Sequence, residues 1–86
     1  FRELFGGTLE GVSVYPREVV KIALEQTAAA VILVHYDPSE VPEPSQANRM
    51  LSTTLKNALN MIGTPLLDHV VVGYRGYVSL AERGYL

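Results

Sequence analysis

Apolar residues recur along this chain at two different spacings, and the change from one to the other marks out its elements. Val19, Val20, Ala23 and Leu24 fall on one helical face while Arg17, Lys21 and Glu25 point elsewhere, which predicts an amphipathic helix of about three turns. Pro16 suits its first position, where a missing N–H goes unnoticed, and Glu18 suits the dipole of its first turn. From Ala28 to Val34 every residue is apolar, the pattern of a strand buried on both faces and central in its sheet. Pro38, Pro42 and Pro44 then carry the backbone away in a stiff, extended loop. Met50, Leu51, Leu55, Ala58, Leu59 and Ile62 draw a second helical face, opened by Ser45 as N-cap and stopped by Gly63. Residues 65–72 read as another largely buried strand, Gly73 to Gly76 turn the chain, and residues 77–79 return as the second arm of a hairpin. Ahead of all these, Glu3 to Leu9 reads as a short strand bent at Gly6 and Gly7. The order strand, helix, strand, helix, strand, strand predicts an α/β fold, a mixed sheet flanked by helices on both sides.

Composition narrows the class. Eighty-six residues make one domain at most, and 48% hydrophobic against 19% charged residues excludes a disordered segment. The chain begins at Phe1, inside a run that reads as a strand already in progress, so residues 1–86 are expected to be an N-terminally trimmed domain, small enough that homo-oligomerisation would help it. A net charge of −2 supplies no positive field for phosphates, so nucleic acid is not an expected partner. Tyr74, Tyr77 and Tyr85 with Arg75 and Arg83 offer stacking groups, but the acidic balance argues against single-stranded bases. The absence of cysteine removes disulfides, thiolate metal sites and a cysteine nucleophile, and fits a reducing, cytoplasmic setting. The longest apolar run, Thr27 to Val34, falls far short of the roughly 18 residues a membrane span needs.

Candidate chemistry gathers after the all-apolar strand, where ligand sites of open sheets tend to lie. His35 and Asp37 share a side if strand geometry persists, and Ser45 and Asn48 share a helix edge one turn apart. Imidazole nitrogen and carboxylate oxygen are good Zn²⁺ ligands, whereas a carboxamide oxygen is neutral and weaker. Each residue also has a plain structural reading: a backbone hydrogen bond for His35, an Asp-Pro turn for Asp37, a helix cap for Ser45, a solvent-facing or capping amide for Asn48. Of Asp68 and His69, strand alternation lets one face inward, in a structural hydrogen bond, and no Gly-x-Ser-x-Gly turn accompanies them. Gly73-Tyr74-Arg75-Gly76 joins two strands and opens no helix, so it is no phosphate cradle.

His35-x-Asp37 followed by Ser45 and Asn48 resembles the JAMM metal motif of JAB/MPN domains, His-x-His-x(7)-Ser-x(2)-Asp. The stretches Val14-Tyr15-Pro16-Arg17-Glu18-Val19-Val20, Glu43-Pro44-Ser45-Gln46-Ala47, Leu67-Asp68-His69 and Ser79-Leu80-Ala81-Glu82-Arg83-Gly84 resemble the RadC-like branch of that family, and the likeness runs from end to end. The resemblance implies a cytidine-deaminase-like architecture and a zinc-dependent hydrolase, in relatives often a metallopeptidase or isopeptidase, with two histidines, an aspartate and a water on the metal. Glu3 then matches the acid/base glutamate and Ser45 the oxyanion helper. Three positions depart from the pattern: Asp37 replaces the second histidine, Glu40 a glycine, and Asn48 the aspartate. The formal charge of the ligand set is unchanged, but zinc held by His35, Asp37 and Asn48 should be weak or absent. Two functions follow: an impaired metal-dependent hydrolase of peptide or protein amides, and a non-catalytic domain that binds another protein. The family's nominal link with DNA repair finds no support in these residues.

Overall fold

The computed structural model describes residues 14–37 and 43–86. Within them the elements run α1 (Pro16–Glu25), β1 (Val31–Tyr36), α2 (Gln46–Met61), β2 (Leu66–Val72) and β3 (Tyr77–Ser79). The strand expected at Glu3 to Leu9 lies outside the described residues.

Both helices end in the same closure. In α2 the Gly63 N–H donates to Asn60 O at 3.1 Å and the Thr64 N–H to Leu59 O at 3.0 Å, with Gly63 left-handed at φ 73°. This is a Schellman motif with glycine where it is favoured. In α1 the Thr27 N–H donates to Leu24 O at 3.1 Å and the Ala28 N–H to Ala23 O at 3.0 Å, so a threonine holds the left-handed position at φ 50°. Ala28 is thereby spent on closing the helix, and β1 starts at Val31 rather than at Ala28. The N-cap expected at Ser45 is present: its Oγ accepts the Asn48 N–H at 3.0 Å.

The sheet is mixed, as expected, with β1 parallel to β2 and β2 antiparallel to β3. Its order is β1-β2-β3, so among the described residues β2 is the central strand and β1 an edge, the reverse of the expectation for residues 28–34. Nor is β1 buried on both faces. Leu33 points into a core with Val19, Ala23, Leu55, Leu59 and Leu66, while Ile32 and Val34 on the other face are 58% and 59% exposed. The reason is that both helices contribute to one core on one side of the sheet. Leu55 and Leu59 are fully buried there, each contributing about 1.5–3 kcal/mol of hydrophobic stabilisation.

Parallel pairing sets Leu33 opposite His69 and His35 opposite Val71. The register shifts between Val31 and Ile32, whose partners are Leu66 and Asp68, leaving Leu67 as the extra residue of a bulge.

Candidate functional site at the seam of two strands

Strand alternation carries His35 to the same face of β1 as Leu33, and the register brings His69 of β2 to that face beside it. The two imidazoles are diagonal neighbours, their ring centres 6.0 Å apart and their planes inclined by 18°. His69 is fully buried, and its Nδ1 lies 2.5 Å from Ser52 Oγ on α2. The same hydroxyl donates to Asn48 O at 3.0 Å. A hydroxyl has one proton to give: with it on Asn48 O the hydroxyl accepts from His69 Nδ1–H, and with it on Nδ1 the imidazole carries its proton at Nε2. His69 Nε2 and His35 Nδ1 are both buried and have no hydrogen-bond partner. Burial first and then the nearby His35 push the His69 pKa down to about 4, with Asp68 partly opposing them, so His69 is neutral at pH 7.

The remaining expected site residues arrange themselves around this pair. The Asp37 N–H donates to Val72 O at 2.8 Å, so the ladder continues one residue past β1 and alternation places Asp37 on the side of His35. Of the solvent-facing or capping amide expected at Asn48, the solvent-facing alternative does not hold: the residue is buried in the first turn of α2, and its backbone carbonyl is linked through Ser52 to His69. Ser45 is exposed, and its Oγ is engaged as the helix cap. Glu3 and Glu40 lie outside the described residues.

For zinc, this donor set offers one imidazole, one carboxylate and one neutral carboxamide. Among the described residues no three His, Cys, Asp or Glu side chains come together to hold a metal. A set of His35, Asp37 and Asn48 differs in chemistry from two histidines and an aspartate, since its helix member is a neutral amide.

His69 makes the inward structural hydrogen bond that strand alternation allows, and its partner is Ser52, a residue that only its spacing of four from Asn48 marks as sharing that helix edge. On the opposite face of β2, Asp68 also proves to be fully engaged: its Oδ1 accepts the His69 N–H at 2.7 Å and the Ala81 N–H at 3.0 Å, and its Oδ2 accepts Ser79 Oγ at 2.6 Å. Burial raises the Asp68 pKa, but these hydrogen bonds together outweigh it and hold the carboxyl below its ordinary value. Nearby, Arg83 forks onto Glu43, Nη1 to Oε2 at 3.2 Å and Nη2 to Oε1 at 3.4 Å, tying the residues ahead of Ser45 to the turn that follows β3.

Comparison with known proteins agrees with this architecture. Residues 1–85 match the family model described as RadC-like JAB domain. The chain is 58% identical over its full 86 residues to UPF0758 proteins of Shewanella sp. strain ANA-3, Shewanella baltica strain OS155 and Shewanella putrefaciens strain CN-32. It spans 38% of the length of each of these relatives. A match over nearly all of the chain, on a mixed sheet with α2 following the His35 strand, places the chain in the RadC-like JAB domain family.

Proposed function

We propose that this chain is a JAB-type domain whose metal-dependent amide hydrolysis is impaired and which acts by binding a protein or peptide. The observation that carries the reading is the donor chemistry: the motif's helix position is Asn48, a neutral amide, where a charged ligand would be needed, and among the described residues no three His, Cys, Asp or Glu side chains gather to hold a metal. The apolar face of β1, with Ile32, Val34 and Tyr36 exposed, supports a role in association. The test is zinc-dependent cleavage of fluorogenic peptide and isopeptide substrates by the purified protein. No chelator-sensitive turnover is expected. Turnover lost on adding EDTA and lost again in His35→Ala would overturn the reading.

A second reading, a working zinc metallopeptidase, draws on His35 alone, whose buried and unpartnered Nδ1 is the kind of nitrogen a metal takes up. The double substitution Asp37→His with Asn48→Asp separates the two. Under the first reading it raises zinc affinity by at least about tenfold; under the second, the unaltered chain already cleaves amides and the gain is small.

A further inference from the structure

The outer side of α2 carries a feature that the seam of the two strands does not use. Gln46, Arg49, Met50, Thr53 and Thr54 recur at helical spacing, and with Tyr85 they line an open groove of about 530 Å³. Tyr85 is placed there by a third closure of the kind that ends both helices. After β3 the Gly84 N–H donates to Ala81 O at 3.1 Å and the Tyr85 N–H to Leu80 O at 2.8 Å, with Gly84 left-handed at φ 79°. Leu80 is fully buried, so the turn that presents Tyr85 is anchored in the interior. The Arg49 guanidinium lies over the Tyr85 ring, 3.9 Å from its centre. Stacking steadies the planar cation from one face and leaves the N–H groups along its edge, which match the two oxygens of a carboxylate.

Charge and size narrow what the groove takes. Arg49 is the cation that lines it, and no acidic side chain does so among the described residues. A single positive charge on a chain of net charge −2 balances one carboxylate, whereas a phosphate brings up to about two negative charges. Beside Arg49, Met50 is 64% exposed and offers a flexible apolar wall that adapts to what lies against it. From Gln46 to Thr54 the helix rises about 12 Å, the length of roughly three to four residues of extended peptide.

We propose that this groove docks an extended acidic peptide segment, with a carboxylate side chain forked on Arg49 and a neighbouring apolar side chain against Met50. The proposal rests on the reading that the chain acts by binding a protein or peptide, and gives that partner its chemistry. Arg49 makes the contact, and Tyr85 is a positioning residue that presents it.

The test is amide NMR on the intact chain during titration with a blocked tetrapeptide that holds glutamate beside leucine. Saturable shifts are expected at Arg49, Met50, Thr53, Thr54 and Tyr85, with a Kd in roughly the millimolar range that one exposed ion pair and a short apolar contact allow. The glutamine analogue should bind at least about fivefold more weakly, and Arg49→Gln should lose the same factor toward the glutamate peptide. Arg49→Lys, which keeps the charge and loses the fork, recovers only part of it. Tyr85→Phe keeps the affinity and Tyr85→Ala lowers it, both with the circular dichroism spectrum of the folded chain. Absence of saturable shifts at these residues, equal binding of the glutamine analogue, or an unchanged affinity in Arg49→Gln overturns the proposal. So does tighter binding of a phosphoserine analogue, or equal binding of a glutamine peptide whose only carboxylate is its free C-terminus. Shifts at Ile32, Val34 and Tyr36 instead would overturn the groove and leave peptide binding standing, whereas chelator-sensitive amide turnover would overturn the binding reading itself.

Discussion

Acidifying a chelator-treated sample probes the surroundings of His69, and the structure fixes both the sign and the size of the effect. In the folded chain His69 resists protonation until about pH 4, against an ordinary value of 6.5, first because it is buried and then because His35 stands beside it. The unfolded chain has neither constraint and takes up its proton near pH 6.5. Folding therefore excludes a proton that the unfolded state binds, and stability falls as the pH drops from 6.5 toward 4, with no further loss from this group below that. At about 1.4 kcal/mol per pH unit the whole effect amounts to about 3 kcal/mol, a large share of the stability of a small domain. Urea unfolding at a series of pH values measures it. The expected free energy is level above about pH 7, falls by about 3 kcal/mol across the window, and loses this slope in His69→Gln. A His69 resonance titrating near its ordinary value, or stability that is flat across the window, would refute the account. Asp68 acts in the same direction at lower pH, since its depressed carboxyl loses its native hydrogen bonds on protonation.

Other substitutions have defined outcomes. At Gly63 a Cβ would meet nothing within 4 Å, so Gly63→Ala has only the left-handed backbone to contend with and should cost about 1 kcal/mol in urea unfolding. Thr27→Gly places the favoured residue at the equivalent position of α1 and should stabilise by about 0.5–1 kcal/mol after the greater freedom of glycine in the unfolded chain is set against it. Ser45→Ala removes the cap on the Asn48 N–H and should lower stability by about 1 kcal/mol, read as a lower midpoint in thermal unfolding. Leu55→Ala opens a cavity in the centre of the core and should lower stability by about 2–5 kcal/mol in the same measurement.

Local chemistry was legible in the residues, and long-range placement was not. Ser45 and Gly63 announce the ends of α2 because a cap and a left-handed stop depend on one residue and its next few neighbours. The run from Ala28 to Val34 misleads because an apolar stretch records which residues tolerate burial and says nothing of what covers them. Ala28 goes to the end of α1, and Ile32 and Val34 face away from the helices. For the site, His35 and Asp37 are placed by the strand they end. The meeting of His35 with His69 depends on parallel pairing between strands some thirty positions apart, with a bulge at Leu67 in the register. No spacing along the chain reports that. The link between Asn48 and Ser52 is the one part of the network written at helical spacing, and its significance shows only once His69 stands opposite.

Asp68 and His69 are adjacent and polar, and each is hydrogen-bonded on its own face of the central strand, Asp68 to Ser79 and Ala81 and His69 through Nδ1 to Ser52. Sliding β2 by a single position would exchange them, driving a carboxylate into the hydrocarbon interior beside Leu33 and stranding an imidazole next to Ser79 and Ala81. Neither Val70 nor Val71 would object to such a slip, since a valine sits comfortably on either side. The strand's alignment is thus enforced by its two hydrophilic members acting as a key that enters the lock one way round.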